Sequence, residues 1–269
     1  MSWTLTLKVL KLQAQTIFSY AFGAAFYSAL IVVLFERVVD QHKGFLNQYL
    51  TVVPKALLRA FNIGGTDLTS FGGFVGAEYL SFIWVVIIAA FAIAFTSGAL
   101  AKELEEGTLE LILAYPLGRL RFFFSKVAAL IIALAVIVLA TVIGIWLGAV
   151  SQHLSIGGSA YVAVAAIGLA FALAIAGYGF LFSALASERG RAALAAAGLT
   201  LVFYLVNFAA QTWDPLKSLS RLSLFNYYAP QDALNLGRVD GLAIAVLLGV
   251  AIAGTLGGAV VFRMRDLSP

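Results

Sequence analysis

The side chains with chemistry to offer crowd into one run, Lys102-Glu103-Leu104-Glu105-Glu106-Gly107-Thr108-Leu109-Glu110, which continues through Pro116 and Gly118 to Arg119. Four acidic and four basic residues fall between 102 and 126, in a chain that is only 11% charged. Read as a helix, this run puts Glu103, Glu106 and Glu110 on one face with Gly107 between them. Leu104, Thr108, Leu111 and Ile112 take the other face. The glutamates of the first turn suit the positive end of a helix dipole, and Pro116 stops the helix because the residue before a proline is pushed out of helical geometry. Charged loops are most often solvated connectors. A connector, however, needs neither apolar residues at helical spacing nor a glycine inside an acidic face. The pattern suits a short two-faced helix that docks a soluble partner on one side and pulls on its own chain with the other.

Other chemistries lack their residues. The chain has no cysteine, and His42 and His153 lie far apart, so a metal centre is not expected. Gly157-Gly158-Ser159 is the nearest approach to a nucleophile turn, and it has no histidine in a plausible place. No Gly-x-x-x-x-Gly-Lys-Ser/Thr loop occurs, so the chain is not expected to hydrolyse ATP itself.

The elements that position the acidic run are apolar. Hydrophobic residues make up 62% of 269 positions, well above the globular norm of about half. That composition predicts an all-α integral membrane protein with six transmembrane helices, near 16–35, 79–101, 127–150, 160–186, 192–211 and 241–262, in one membrane domain over 1–269. No expected span contains Asp, Glu, Lys, Arg or His. This argues against a proton relay or ion-coupled carrier, and the absence of a filter-like loop or charged ring argues against a channel. Residues 1–14 place Trp3, Leu7 and Leu10 on one helical face and Lys8 and Lys11 on another, as in an interfacial helix facing anionic headgroups. Bases cluster near span ends on the side of the N-terminus, which favours both termini in the cytoplasm. The net charge of +4 is scattered over loop ends and is no nucleic-acid signature. Residues 36–77 read as a long polar connection with a short amphipathic helix over 49–61.

Two polar stripes cross the spans. Thr200, Tyr204, Asn207 and Gln211 are spaced four, three and four along span five, and Thr16, Tyr20, Gly23 and Tyr27 repeat that spacing on span one. Such a stripe either lines an uncharged, aromatic pathway or forms hydrogen bonds between helices. Gly144/Gly148 and Gly254/Gly258 are small-residue pairs that let helices approach closely.

The segment Glu-Glu-Gly-Thr-Leu-Glu-Leu-Ile-Leu-Ala-Tyr-Pro (105–116), with Gly118, Arg119 and then Lys126 at the mouth of the next span, resembles permease subunits of the type 2 ABC exporter superfamily. The resemblance implies a cytoplasmic coupling helix over 102–118, between spans two and three. Glu103, Glu106, Gly107, Thr108, Glu110, Pro116 and Arg119 would then contact an ATPase subunit, with Arg119 and Lys126 holding the loop at the headgroups. It places 36–77 outside the cell and makes 212–240 an outer re-entrant segment whose Phe225 to Pro230 core gates the exit or anchors at the interface. It implies two ATPase subunits, which bind the ATP and magnesium, and no cofactor in this chain. A second permease chain, expected to be identical, completes the pathway within a prokaryotic cytoplasmic membrane. The expected function is export of a lipid-like, drug-like or hydrophobic peptide cargo by alternating access. The alternative is a non-transporting scaffold or assembly factor that recruits an ABC-type ATPase.

Overall fold

A computed structural model describes residues 2–52, 70–107 and 118–265 of the chain; within these, the side chains of 36–52 and of Asp214 are not described. Every regular element among the described residues is helical. Six helices are long and apolar enough to cross a membrane: Ala14–Phe35, Ile83–Glu105, Arg119–Ser151, Gly158–Leu185, Arg189–Thr212 and Gly241–Met264. They fall where the apolar runs predict, because a stretch of about 20 residues that can satisfy its own backbone is the unit a bilayer selects. Span one departs from expectation at its far end. Its helix runs unbroken from Ala14 to Val52, so the polar connection expected from residue 36 begins as helix. The short helix expected over 49–61 lies largely outside the described residues.

Small residues set the closest helix pairs. On span three, a Cβ at Gly144 would sit 2.2 Å from the Ala25 carbonyl oxygen of span one, and one at Gly148 would sit 2.6 Å from Val32 Cβ. On span six, a Cβ at Gly254 would lie 2.5 Å from the backbone of Gly177 on span four. Both glycine pairs are therefore occupied inside one chain. A hydrogen bond reinforces the first contact, Ser28 Oγ donating to the Thr141 carbonyl at 3.0 Å, and Trp84 Nε1 of span two donates to Thr141 Oγ1 at 3.0 Å.

At one end of the bundle, two short segments pack together. Phe71–Val75 is helical and leads into a π-helix over Gly76–Leu80. Its partner is the helix Pro230–Leu236, which ends on Gly237 in the left-handed region at φ 62°. The Gly72 amide donates to Asn235 Oδ1 at 3.0 Å, Gln231 Nε2 donates to Ser81 Oγ at 2.6 Å, and Tyr228 OH donates to the Leu80 carbonyl at 3.2 Å. Gly72, Gly73, Phe74 and Val75 are buried, so the end of the expected polar connection is part of the core. Phe225 and Tyr228 are buried too, ringed by Phe171, Trp84 and Tyr204 at centroid distances of 4.5–5.8 Å. The aromatic core of 212–240 is thus a plug inside the bundle, not an anchor at its rim.

The N-terminal helix Trp3–Leu12 lies at the other end, against the start of span three. The Ser2 amide donates to Ser125 Oγ at 2.8 Å, and Thr6 Oγ1 donates to the Ser125 carbonyl at 3.2 Å. Thr6 and Val9 are buried, while Trp3, Leu7, Lys8 and Lys11 are exposed.

Candidate functional site

The acidic run begins at an interruption in span two. The helix Ile83–Ala99 breaks at Leu100, and a short helix, Ala101–Glu105, follows. The break frees two backbone N–H groups in an apolar setting, where each would be costly unpaired. Both are accepted by Ser183 Oγ of span four, at 3.3 Å from Leu100 N and 3.2 Å from Ala101 N. Ser183 is fully buried.

Beyond the break the glutamates part company. Glu103 turns inward and pairs with Lys126 of span three at 3.0 Å, with the two side chains only 21% and 12% exposed. Lys126 also lies 5.3 Å from the Phe122 ring centroid, within cation–π range. Glu105 accepts from the Arg189 amide at 2.9 Å, capping the first turn of span five. Glu106 is half exposed and makes a loose pair with Lys102 at 3.6 Å. Gly107 then takes φ 66°, a left-handed geometry that favours glycine at a helix end.

These positions correct the expectation of one helix over 102–118 at its start. The helix ends at Glu105, and Gly107 turns the chain instead of sitting within an acidic helical face. Glu103 does not share an outward face with Glu106. Thr108, Glu110 and Pro116 lie outside the described residues.

The run returns at Gly118, and Arg119 is engaged within the chain. Its guanidinium donates to the carbonyls of Arg265, at 2.7 Å, and Arg263, at 3.4 Å, at the end of span six. Arg265 in turn donates to the Ala184 and Ala186 carbonyls at 2.7 and 2.8 Å and to Ser187 Oγ at 2.7 Å, closing the end of span four. Cations on the carbonyl ends of helices satisfy orphan acceptors and complement the dipole. Lys126 is likewise engaged within the chain, by Glu103. Arg119 and Lys126, the two cations that the resemblance sets at the headgroups, thus both make internal ties. Nothing in its residue type forecast Ser183 as part of this site, and for Arg265 the one hint was a cation just beyond a span.

The polar stripes of spans one and five do not form one lined surface in this chain. Both spans pack against span two. Tyr20 packs on Phe91, with ring centroids 5.1 Å apart, and Tyr27 packs on Tyr79 at the same separation. On span five, Thr200 donates to the Ala196 carbonyl and also meets the Tyr178 hydroxyl of span four. Tyr204 packs on Phe225 at 5.4 Å. Gln211 is half-buried. Asn207 differs: it is 7% exposed, and its Oδ1 has no partner among the described residues.

Six apolar spans, with both described ends of the chain and the acidic run on one face of the bundle, define a multi-pass membrane protein. A family model described as ABC-2 family transporter protein matches residues 5–267, so the chain belongs to that family of membrane transport permeases. No curated protein matches the chain.

Proposed function

We propose that this chain is the transmembrane subunit of an ATP-driven exporter, with the turn at Glu106 and Gly107 and the residues that follow it docking a separate ABC-type ATPase in the cytoplasm. The observation that carries the reading is the attachment of the acidic run to the bundle. One end is tied to spans three, four and five through Lys126, Ser183 and Arg189, and the other to spans six and four through Arg119 and Arg265. A surface loop has no need of such ties, whereas a segment that transmits force to helices does. Glu106 remains outward, and a carboxylate there suits a basic or amide-rich partner surface.

In this reading the ATPase, present in two copies, holds ATP and magnesium. A second copy of the permease completes the pathway. Spans one and five are among the least buried, and their exposed faces, with Phe22 and Phe26 on one and Leu201 and Leu205 on the other, are left for that seam. Cargo would be lipid-like, drug-like or a hydrophobic peptide, because the apolar stretches 16–35, 79–101, 127–150, 160–186, 192–211 and 241–262 offer no charged side chain. The membrane is the prokaryotic cytoplasmic membrane, with the acidic run and both termini inside. Closure of the ATPase dimer would draw the two acidic segments together and drive alternating access.

The test is co-purification of the ATPase with Glu106→Lys combined with Glu110→Lys. We expect loss of the ATPase while the permease stays in the membrane; unchanged co-purification would show that this face is not the dock. ATP turnover in reconstituted vesicles without movement of any amphipathic cargo would favour the scaffold role.

A further inference from the structure

Where span five ends, the chain enters a nine-residue 3-10 helix, Asp214–Leu222. Runs of this helix beyond three or four residues are uncommon, and at three residues per turn its side chains stack in straight columns. Leu216, Leu219 and Leu222 therefore share one column, about 12 Å long at about 2.0 Å per residue. Pro215, Ser218 and Arg221 form the second column, and Asp214, Lys217 and Ser220 the third. The leucine column is thus flanked by one base on each side. It is also open. Leu219 is 41% exposed and Leu222 68%, with Leu216 half-buried. Trp213, which joins the helix to span five, is 67% exposed. Lys217, Ser218 and Arg221 are exposed too.

The place of this edge decides what covers it. Span five runs from Arg189, beside the acidic run, to Thr212. Its 24 residues rise about 36 Å, a little more than the roughly 30 Å of a hydrocarbon core. Trp213 then emerges at headgroup level on the side opposite the acidic run, where tryptophan is favoured. An apolar row flanked by bases, starting where a span leaves the bilayer, has the chemistry of a helix seated in the interface. Its leucines lie among the upper acyl chains, and the long basic side chains reach back to the phosphates. The fit rests on where the bases stand and not on net charge, since Asp214 offsets one of them.

We propose that Trp213, Leu219 and Leu222 seat this helix on the phospholipid leaflet opposite the acidic run, with Lys217 and Arg221 on lipid phosphates. The seat is joined to the plug. Ser223, the next residue, donates from Oγ to the Phe203 carbonyl at 2.6 Å, and Tyr227 OH donates to the Arg221 carbonyl at 3.0 Å. Interfacial anchoring thus falls to 213–222, and the aromatic core that follows it fills the bundle. The seat requires only that span five crosses a bilayer; it does not depend on the ATPase reading.

The chain has no cysteine, so single nitroxide labels can be placed through Ser218→Cys, Leu219→Cys and Leu222→Cys. The experiment is power-saturation electron paramagnetic resonance of the full chain in phosphatidylcholine nanodiscs, with oxygen as the lipid-phase relaxant and a nickel chelate as the aqueous one. Labels at 219 and 222 should favour oxygen over nickel, and the label at 218 should favour nickel. Lys217→Glu combined with Arg221→Glu, in the Leu222→Cys chain, should shift that label toward nickel. Equal nickel access at all three positions would put the edge in water and overturn the proposal. So would a label at 222 shielded from both relaxants, which would mark a protein partner or a second copy on the edge. A label at 222 indifferent to the charge reversal would overturn it as well, by removing the phosphate contact. The readout needs neither ATPase nor cargo, so its failure leaves ATPase docking untouched, and failure of docking leaves the seat in force.

Discussion

Glu103→Gln separates the inward role of one glutamate from the outward role of its neighbour. The Glu103–Lys126 pair is closed at 3.0 Å, and its side chains are 21% and 12% exposed. Removing one member of a fully buried pair costs about 3–5 kcal/mol, and exposed pairs contribute about 0.2–1 kcal/mol. A pair about four-fifths buried falls between, at about 1–3 kcal/mol, because the Lys126 ammonium would be left facing the Phe122 ring with less compensation. That is a shift of roughly fivefold to 150-fold in the folding equilibrium. The assay is unfolding of the chain in nanodiscs, run as a double-mutant cycle with Lys126→Met, alongside ATPase co-purification. Glu103→Gln should lower stability and couple strongly to Lys126→Met, and the ATPase should still co-purify. Unaltered stability together with release of the ATPase would refute the reasoning, since it would mean that the Glu103 carboxylate faces the partner and not span three.

Two further outcomes follow from the packing. Gly144→Ala should destabilise the chain by about 1–3 kcal/mol, because the new methyl would meet the Ala25 carbonyl oxygen at 2.2 Å; Gly23→Ala, with nothing within 4 Å, should be silent in the same unfolding assay. Asn207→Leu removes a buried acceptor that has no partner among the described residues, so stability should hold or rise by up to about 1–2 kcal/mol; a changed cargo profile in vesicles would place this residue on the pathway, and a marked loss of stability would show that its amide has an essential partner.

The six spans were legible because the bilayer imposes length and apolarity on each one separately, so each segment carries its own signal. Which faces touch was not legible, because lipid and neighbouring helices are equally apolar and leave almost no difference between the inner and outer face of a span. Gly144 and Gly254 could be recognised as contact points, but their partners, Ala25 and Gly177, could not. The same limit hid the fate of Phe225 and Tyr228. An aromatic cluster beside a span suits both an interface and a core, and only the ring of Phe171, Trp84 and Tyr204 decides for the core. At the acidic run, periodicity mistook the form of the chain. Helical spacing put Glu103 and Glu106 together, whereas Lys126, 23 residues away, draws Glu103 inward and Gly107 ends the face.

The two ends of the acidic run are fastened in different ways, and the difference bears on how a push from below would travel. At its start the chain is jointed: Leu100 interrupts span two, and a single hydroxyl, Ser183 Oγ, holds both freed amides. Beyond that joint the short helix Ala101–Glu105 is tied to spans three and five, through Glu103 and Lys126 and through Glu105 and Arg189. At its finish the chain is clamped, since Arg119 grips the carbonyl end of span six and Arg265 grips that of span four. Spans four and six are also locked by backbone contact at Gly177 and Gly254. A displacement of the acidic run would therefore move spans three, four and six as one body and bend the chain at Leu100. Span five, tied to the moving side of the joint through Glu105 and Arg189, would be carried with the swing. The exporter proposed above, opening by a shift of one group of helices against another, would need this combination of a stiff body and one pivot.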